Sequence, residues 1–309
     1  MAIDISNWIP IEWAPEVLSR VNQDSAIEAF GSPHVMTTDT QRVLRSLDAT
    51  VGTGATYTSD ASTNDYILLD AVKFTGQFIV DSDALRDADS VVDTLRKKAG
   101  DWATSYAVAF DNACIGVTAA ANGTTAPFTS IYKAVRTNGQ TGESYTADDN
   151  YVNHGGAASA AYTDLDSVMR KVETGFYYSP SRALVIAHPT FKGVMRSAKD
   201  TTGQPIFIQG VAGTPDTLFG VPIQWSLGAK TANQRSTAPE GNPLLVVVGD
   251  TDALMRGDRL NDSGGNGPEA LVDRARAQDS TDQDALKLRV RKAFGLSHPK
   301  AVAVLEKTA

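Results

Sequence analysis

Between residues 85 and 117 apolar side chains recur at steps of three or four: Leu85, Ala88, Val92, Leu95, Ala99, Trp102, Tyr106, Phe110, Ala113 and Val117. That period is the one-sided stripe of an amphipathic helix. Ser82 and Asp83 are good cap residues at its start, and Gly123 lies just past its end. Gly100 is the weak interior position, costing about 1 kcal/mol relative to Ala. A helix over 82–118 is about 50 Å long at ~1.5 Å per residue, roughly three times the usual globular helix. A rod of that length suits an elongated subunit better than a compact enzyme domain.

Elsewhere the period changes to two. In "DALKLRVRKAFGLSHPKAVAVLEK", 284–307, Leu286, Leu288 and Val290 alternate with Lys287, Arg289 and Arg291. This predicts a strand with one apolar and one basic face. A second apolar strand follows His298-Pro299, so the chain is expected to close on a strand pair. Residues 37–80 read as a long hairpin. Its second flank, Tyr66–Val80, is rich in aromatic and β-branched residues. Its middle, Thr50–Thr63, holds seven Ser or Thr, two Gly and no Lys or Arg. Such a length favours a projecting arm that docks elsewhere over the simpler alternative of an ordinary surface hairpin.

Helices are expected over about Pro15–Phe30, over Tyr162–Gly175 with Thr163 or Asp164 as cap, and after Pro189. Buried strands are expected at Ala183–Ala187 and in "PLLVVVGD", and "LFGVPIQWS" reads as a strand with a Gly-Val-Pro break. "TTGQPIFIQGVAGTPDT" reads as an exposed loop and "GDRLNDSGGNGPE" as a long turn region. Residues 119–160 are open between loop and small β insertion. Hairpin, long helix, then mixed elements without βαβ alternation or repeats give an α+β fold.

Residues 1–36 read as an arm. Trp8, Ile9, Ile11 and Trp13 crowd between Pro10, Pro15 and Pro33, in a segment too short for its own core. They must pack on the rest of the subunit or on a neighbouring one. The 309 residues are 42% hydrophobic and 21% charged, which is the range of a folded protein, not a disordered one. A formal charge of -8 disfavours polyanion binding over a broad surface. With Cys114 as the only cysteine, no intramolecular disulfide can form. The N-terminus lacks a basic n-region, and no window reaches the ~18 apolar residues of a membrane span. A soluble, intracellular product is therefore expected.

Candidate chemistry adds little. His34, His154, His188 and His298 show no i, i+3 or i+4 pairing, so structural roles are expected for them. "DSDALRDADSVVD" lacks the central glycine and twelfth-position glutamate of a calcium loop, and its acids suit a helix start. Neither "VGTGAT" nor "DSGGNGPE" fits a phosphate loop, and no Gly-x-Ser-x-Gly elbow occurs. Cys114 falls near the helix stripe and reads as core. No catalytic residue, metal or cofactor is nominated. The basic strand has only Phe294 nearby for stacking, which is weak for a single-strand binder. Six Lys or Arg face two acids from Asp284 onward, whereas eight Asp between Asp60 and Asp93 have only Lys73 and Arg86 in compensation. Opposite faces on one chain suit contacts between copies; a solvated strand face is the simpler alternative.

The order of arm, long hairpin, spine helix, mixed body and closing strands resembles the major capsid proteins of tailed bacteriophages, with the Hong Kong 97-type fold. "YYSPSRALVIAHPTFKGVMRSAKDTTGQPIF", "DTLFGVPIQWS" and "DALKLRVRKAFGLSHPKAVAVLE" are similar to that family's segments, in the same order. The resemblance implies an N-terminal arm (1–36), an extended loop (37–80), a peripheral domain (81–159) with spine helix 82–118, an axial domain (160–250) and a return to the peripheral domain (251–309). It implies hexamers and pentamers of an icosahedral shell around double-stranded DNA, assembled in a bacterial host's cytoplasm and without sequence-specific DNA contacts. Other expected partners are a separate scaffolding protein, a portal and decoration proteins, with no membrane. Candidate inter-subunit contacts are Trp8, Trp13, Tyr57, Tyr66, Asp81, Asp83, Gln204, Pro205, Lys287, Arg289 and Arg291. Some members weld neighbours through a lysine in the extended loop. Thr50–Thr63 holds none and Lys73 sits in the flank, so no such cross-link is expected. An encapsulin-like nanocompartment shell, and a soluble α+β enzyme or binding module, are the alternative readings.

Overall fold

A computed structural model describes residues 24–45, 51–54, 65–81, 89–138, 144–157, 160–199, 204, 207–208, 215–260, 269–273 and 283–308; for 80–81, 89–97, 269–273 and 283–286 it describes the backbone alone. The first elements are α1 (Ala26–Phe30), β1 (Ser32–Met36), β2 (Thr40–Arg45), β3 (Asp65–Asp70), β4 (Val72–Asp81) and the long helix α2 (Asp89–Ile115). Then come α3 (Ile131–Val135), β5 (Tyr151–His154), α4 (Ala161–Glu173), β6 (Leu184–Ala187) and α5 (Phe191–Ser197). The chain ends with β7 (Phe207–Ile208), β8 (Thr217–Leu218), β9 (Val221–Trp225), β10 (Leu244–Val248), β11 (Leu254–Arg259), β12 (Glu269–Asp273), β13 (Gln283–Leu296) and β14 (Val302–Lys307).

The spine helix follows its stripe: Tyr106, Phe110 and Ala113 are buried and Trp102 packs against the same core. It ends at Ile115, and the next residue, Gly116, lies so close to the Lys230 backbone that a Cβ there would clash. Val117, expected as the last helical apolar position, bridges to Ala232 instead. Near the helix end the buried Asp111 carboxylate accepts from Ser25 Oγ (2.5 Å), the backbone N–H of Ala26 (2.9 Å) and Ile27 (3.2 Å), and Ser226 Oγ (2.6 Å). One side chain thereby ties α1, α2 and the 226 turn together. Burial pushes this carboxyl above its ordinary range despite the four donors.

Two larger sheets flank the helix. One has the order β1-β11-β13-β12, with β4 also on β13. The other has the order β5-β14-β10-β6-β9-β8-β7. The second is buried on both faces, as unbroken apolar runs require. Leu244, Val246 and Val248 enter the core under α2, while Leu245 and Val247 enter a second core with Leu165, Met169 and Phe191. Strands from either side of the expected boundaries at 159/160 and 250/251 share this sheet.

Several expectations are corrected. Ser25 is extended and caps Glu28 N–H, so α1 begins at Ala26 and does not continue unbroken from before Ser25; the expected helix before residue 24 lies outside the described residues. The hairpin is β2 and β3 alone, paired from Thr40↔Asp70 to Arg45↔Asp65. At Ala71 the second flank leaves it, and β4 pairs with β13 over ten residues. The closing strands do not pair with each other, since β13 and β14 belong to different sheets. Within 119–160 lie α3, capped by Ser130 Oγ on Lys133 N–H, and β5, an edge strand parallel to β14. α4 begins at Ala161 without a side-chain cap, so neither Thr163 nor Asp164 caps it. Gly257–Arg259 belong to β11 and not to a turn region. The break in "LFGVPIQWS" falls at Phe219 and Gly220, both at positive φ (50° and 86°) in the turn joining β8 to β9.

Candidate inter-subunit surfaces

Leu288 and Val290 point into the core (5% and 3% exposed), while Lys287, Arg289 and Arg291 lie half-buried on the opposite face of β13. Across the sheet β4 places Gln77, Thr75 and Lys73 beside them in register, and β12 places Glu269 beside Arg289. The only carboxylate of the 37–39 turn joins them: Asp39 Oδ1 lies 3.5 Å from Arg291 and 3.1 Å from Arg259. This face therefore gathers Lys73, Arg259, Lys287, Arg289 and Arg291. Two acids of the Asp-rich region, Asp65 and Asp70, pair elsewhere. Asp65 pairs with Arg45 at 2.8 Å, and that hydrogen bond holds its carboxyl below the usual range. Asp70 accepts from Thr40 Oγ1 at 2.9 Å.

The hairpin has two unlike sides. Val43, Ile67 and Leu69 pack on Met36, Met255 and Ala293 of the five-stranded sheet. The other side carries Arg42, Leu44, Tyr66 and Leu68, adjacent in register, with Leu44 80%, Tyr66 47% and Leu68 44% exposed. The Arg42 guanidinium sits 4.7 Å above the Tyr66 ring. Below the hairpin a cavity of about 720 Å³ opens toward Phe128, Lys133 and Leu296. A contiguous exposed apolar side on a two-stranded ribbon is the kind of surface that marks a protein contact.

Of the candidate residues, Tyr66 lies on this side of the hairpin, Lys287, Arg289 and Arg291 share the basic face, and Gln204 is exposed. Asp81 ends β4 opposite Gln283. Trp8, Trp13, Tyr57, Asp83 and Pro205 lie outside the described residues. Leu44 and Leu68 were not nominated by sequence. Their signal was present: "YILL" is apolar at consecutive positions, hence on both faces of a strand, and in a two-stranded hairpin packed by one side the other apolar face stays uncovered.

The histidines stay apart. Buried His154 bonds Asp164 at 2.7 Å, and His298 stacks on Tyr177 at 4.3 Å. His188 is pushed down to about 4 by burial and by Lys230. Cys114 is fully buried and its thiol is raised by that burial. Among the described residues no cluster of His, Cys, Asp or Glu is placed to hold a metal. No described helix is long and apolar enough to cross a membrane.

Solved structures share this arrangement. One is the capsid of a native GTA particle: 16% identity, TM-score 0.68, covering 99% of this chain and 97% of that one. Chains from Mycobacterium phage Bobi (17% identity, TM-score 0.67, 99% and 98% covered) and Mycobacterium phage Ogopogo (14%, 0.65, 100% and 100%) share the fold. No curated protein sequence matches. The profile of the phage capsid family matches residues 6–307, and the chain belongs to that family. It is a capsid protein, with the mixed α+β fold expected from the sequence.

Proposed function

We propose that copies of this chain form the hexamers and pentamers of an icosahedral shell enclosing phage double-stranded DNA. The observation that carries this reading is the unlike-sided hairpin. On a chain of the capsid family, the exposed row of Leu44, Tyr66 and Leu68 is the apolar core of a contact between copies, rimmed by Arg42. The basic face of β13 is a second contact, set against acidic groups of the adjacent subunit, and Asp39 is the local sample of such a pairing. Trp8, Trp13, Tyr57, Asp81, Asp83, Gln204 and Pro205 complete the proposed contact set. The hairpin is the extended loop, α2 the spine of a peripheral domain, and α4 to β10 the axial body.

Light scattering followed by electron microscopy of the purified protein tests the reading. Closed, DNA-bearing shells in infected cells support it; a stable monomer under assembly conditions overturns it, and shells filled with a single enzyme overturn the DNA part. Arg289→Glu reverses one charge on a half-buried strand face. It should reduce shell yield several-fold, a larger effect than its effect on the unfolding midpoint of the monomer. Normal shells from that variant would remove the contact assigned to this face.

A further inference from the structure

On the core-facing side of the five-stranded sheet, Lys292 of β13 and Asp258 of β11 are direct cross-strand partners. Lys292 Nζ lies 2.8 Å from Asp258 Oδ1, with side chains 7% and 1% exposed. A third group closes on the same nitrogen: Glu28 Oε1 of α1, at 3.3 Å. That oxygen also accepts from Tyr106 Oη at 2.8 Å. Arg256 donates to the other Asp258 oxygen, Oδ2, at 2.9 Å. The neighbours on this side are Phe74, Phe110, Val290 and Phe294, members of the main core. A desolvated ion pair set among rings is often no more stabilising than apolar residues of the same size. Two carboxylates converge on one buried amine, and an arginine holds the far oxygen of the more buried of them.

We propose that Lys292 and Asp258 condense spontaneously into an intrachain amide, clipping β11 to β13. The uncharged amine attacks Asp258 Cγ from a contact already at near-attack range, where positioning supplies most of the rate. Glu28 is the group within reach that takes a proton from Nζ and returns it to Oδ1. It is 29% exposed, against 1% for Asp258, so it also has access to solvent. Arg256 faces the charge that gathers on Oδ2 as the tetrahedral carbon forms. The N–C bond forms and the Cγ–Oδ1 bond breaks. Oδ1 leaves as water with two of the ammonium's three protons, the amide keeps the third, and nothing is oxidised or reduced. One positive and one negative charge vanish together, leaving Arg256 and Glu28 as one of each sign. This bond lies inside one subunit, away from the hairpin, and does not depend on the assembly reading.

Intact mass of the denatured full chain tests the proposal. The expected mass is one water below that of the sequence after any loss of Met1. A tryptic map should show the tripeptide Gly257–Arg259 branched onto the peptide beginning at Lys292. Finding that tripeptide and an unmodified Lys292 peptide, at sequence mass, overturns the bond. Asp258→Ala should restore the full mass; a persistent loss of water would overturn the assignment to Asp258. In soluble Glu28→Gln protein the branched peptide should fall at least tenfold, and an undiminished yield would overturn the role of Glu28. The wild-type map decides the central point even if both variants fail to fold.

Discussion

His188 shows how a single residue carries a solvent condition into the fold. Its Nδ1 lies 2.8 Å from Thr190 Oγ1 and accepts the Thr190 N–H at 3.2 Å, a bond that needs the ring neutral. Burial, then Lys230, pushes its pKa down to about 4 from 6.5. Between those two values the unfolded chain binds a proton that the folded chain refuses. Its contribution is therefore intact above pH 6.5 and is lost progressively as pH falls toward 4. His188→Asn keeps an acceptor two residues before the Thr190 N–H and does not titrate. Its unfolding midpoint in urea should fall less than the wild type's between pH 7 and pH 5. Equal losses would mean that His188 plays no part in acid sensitivity. In the sequence its isolation and the following proline favoured a structural role. The lowered pKa depends on burial and then on Lys230, both brought in only by the fold.

At the scale of elements, local period was a good guide to type and a poor one to pairing. The stripe from Trp102 to Ala113 predicted the core face of α2, and the alternation at Leu288 and Val290 predicted inward and outward positions. Partners were not legible. A period of two says that 66–80 and 284–307 are strands, but it is equally satisfied by a neighbour in the chain or one two hundred residues away. The split at Ala71 and the parting of β13 from β14 follow from where apolar faces find cover, which is a property of the whole core. One contact couples element to element tightly: the Trp102 indole lies on Gly76 of β4, where a Cβ would overlap the ring. Gly76→Val should displace that indole and destabilise the subunit by about 1–3 kcal/mol, read by urea unfolding and a red-shifted tryptophan emission. An unchanged midpoint would show that the strand and helix can part without penalty.

For the whole molecule, the two cores on opposite faces of the seven-stranded sheet make a rigid body, while the hairpin leans on its surface through Ile67 and Leu69. Stability and association are thus assigned to different residues. Leu44→Asp with Leu68→Asp changes side chains exposed by 80% and 44%. The pair should leave the unfolding midpoint within about 0.5 kcal/mol of wild type, as surface substitutions do, while light scattering shows few or no shells. Shells of normal size from the double variant would send the search for the apolar contact elsewhere. The sequence predicted a hairpin but not its exposed apolar side, since that side is defined by what the subunit leaves uncovered.

The passage from β13 to β14 has a mechanical meaning. Residues 297–301 are the short covalent strap between the two sheets. At one end of the strap β13 is held along both edges, by β4 on one side and by β12 and β11 on the other. At the other, β14 lies between β10 and β5. Tension that pulls the sheets apart along these strands loads many hydrogen bonds at once, in shear, instead of opening them one after another like a zip. A wall built from such subunits would yield last where its chain crosses from one sheet to the other.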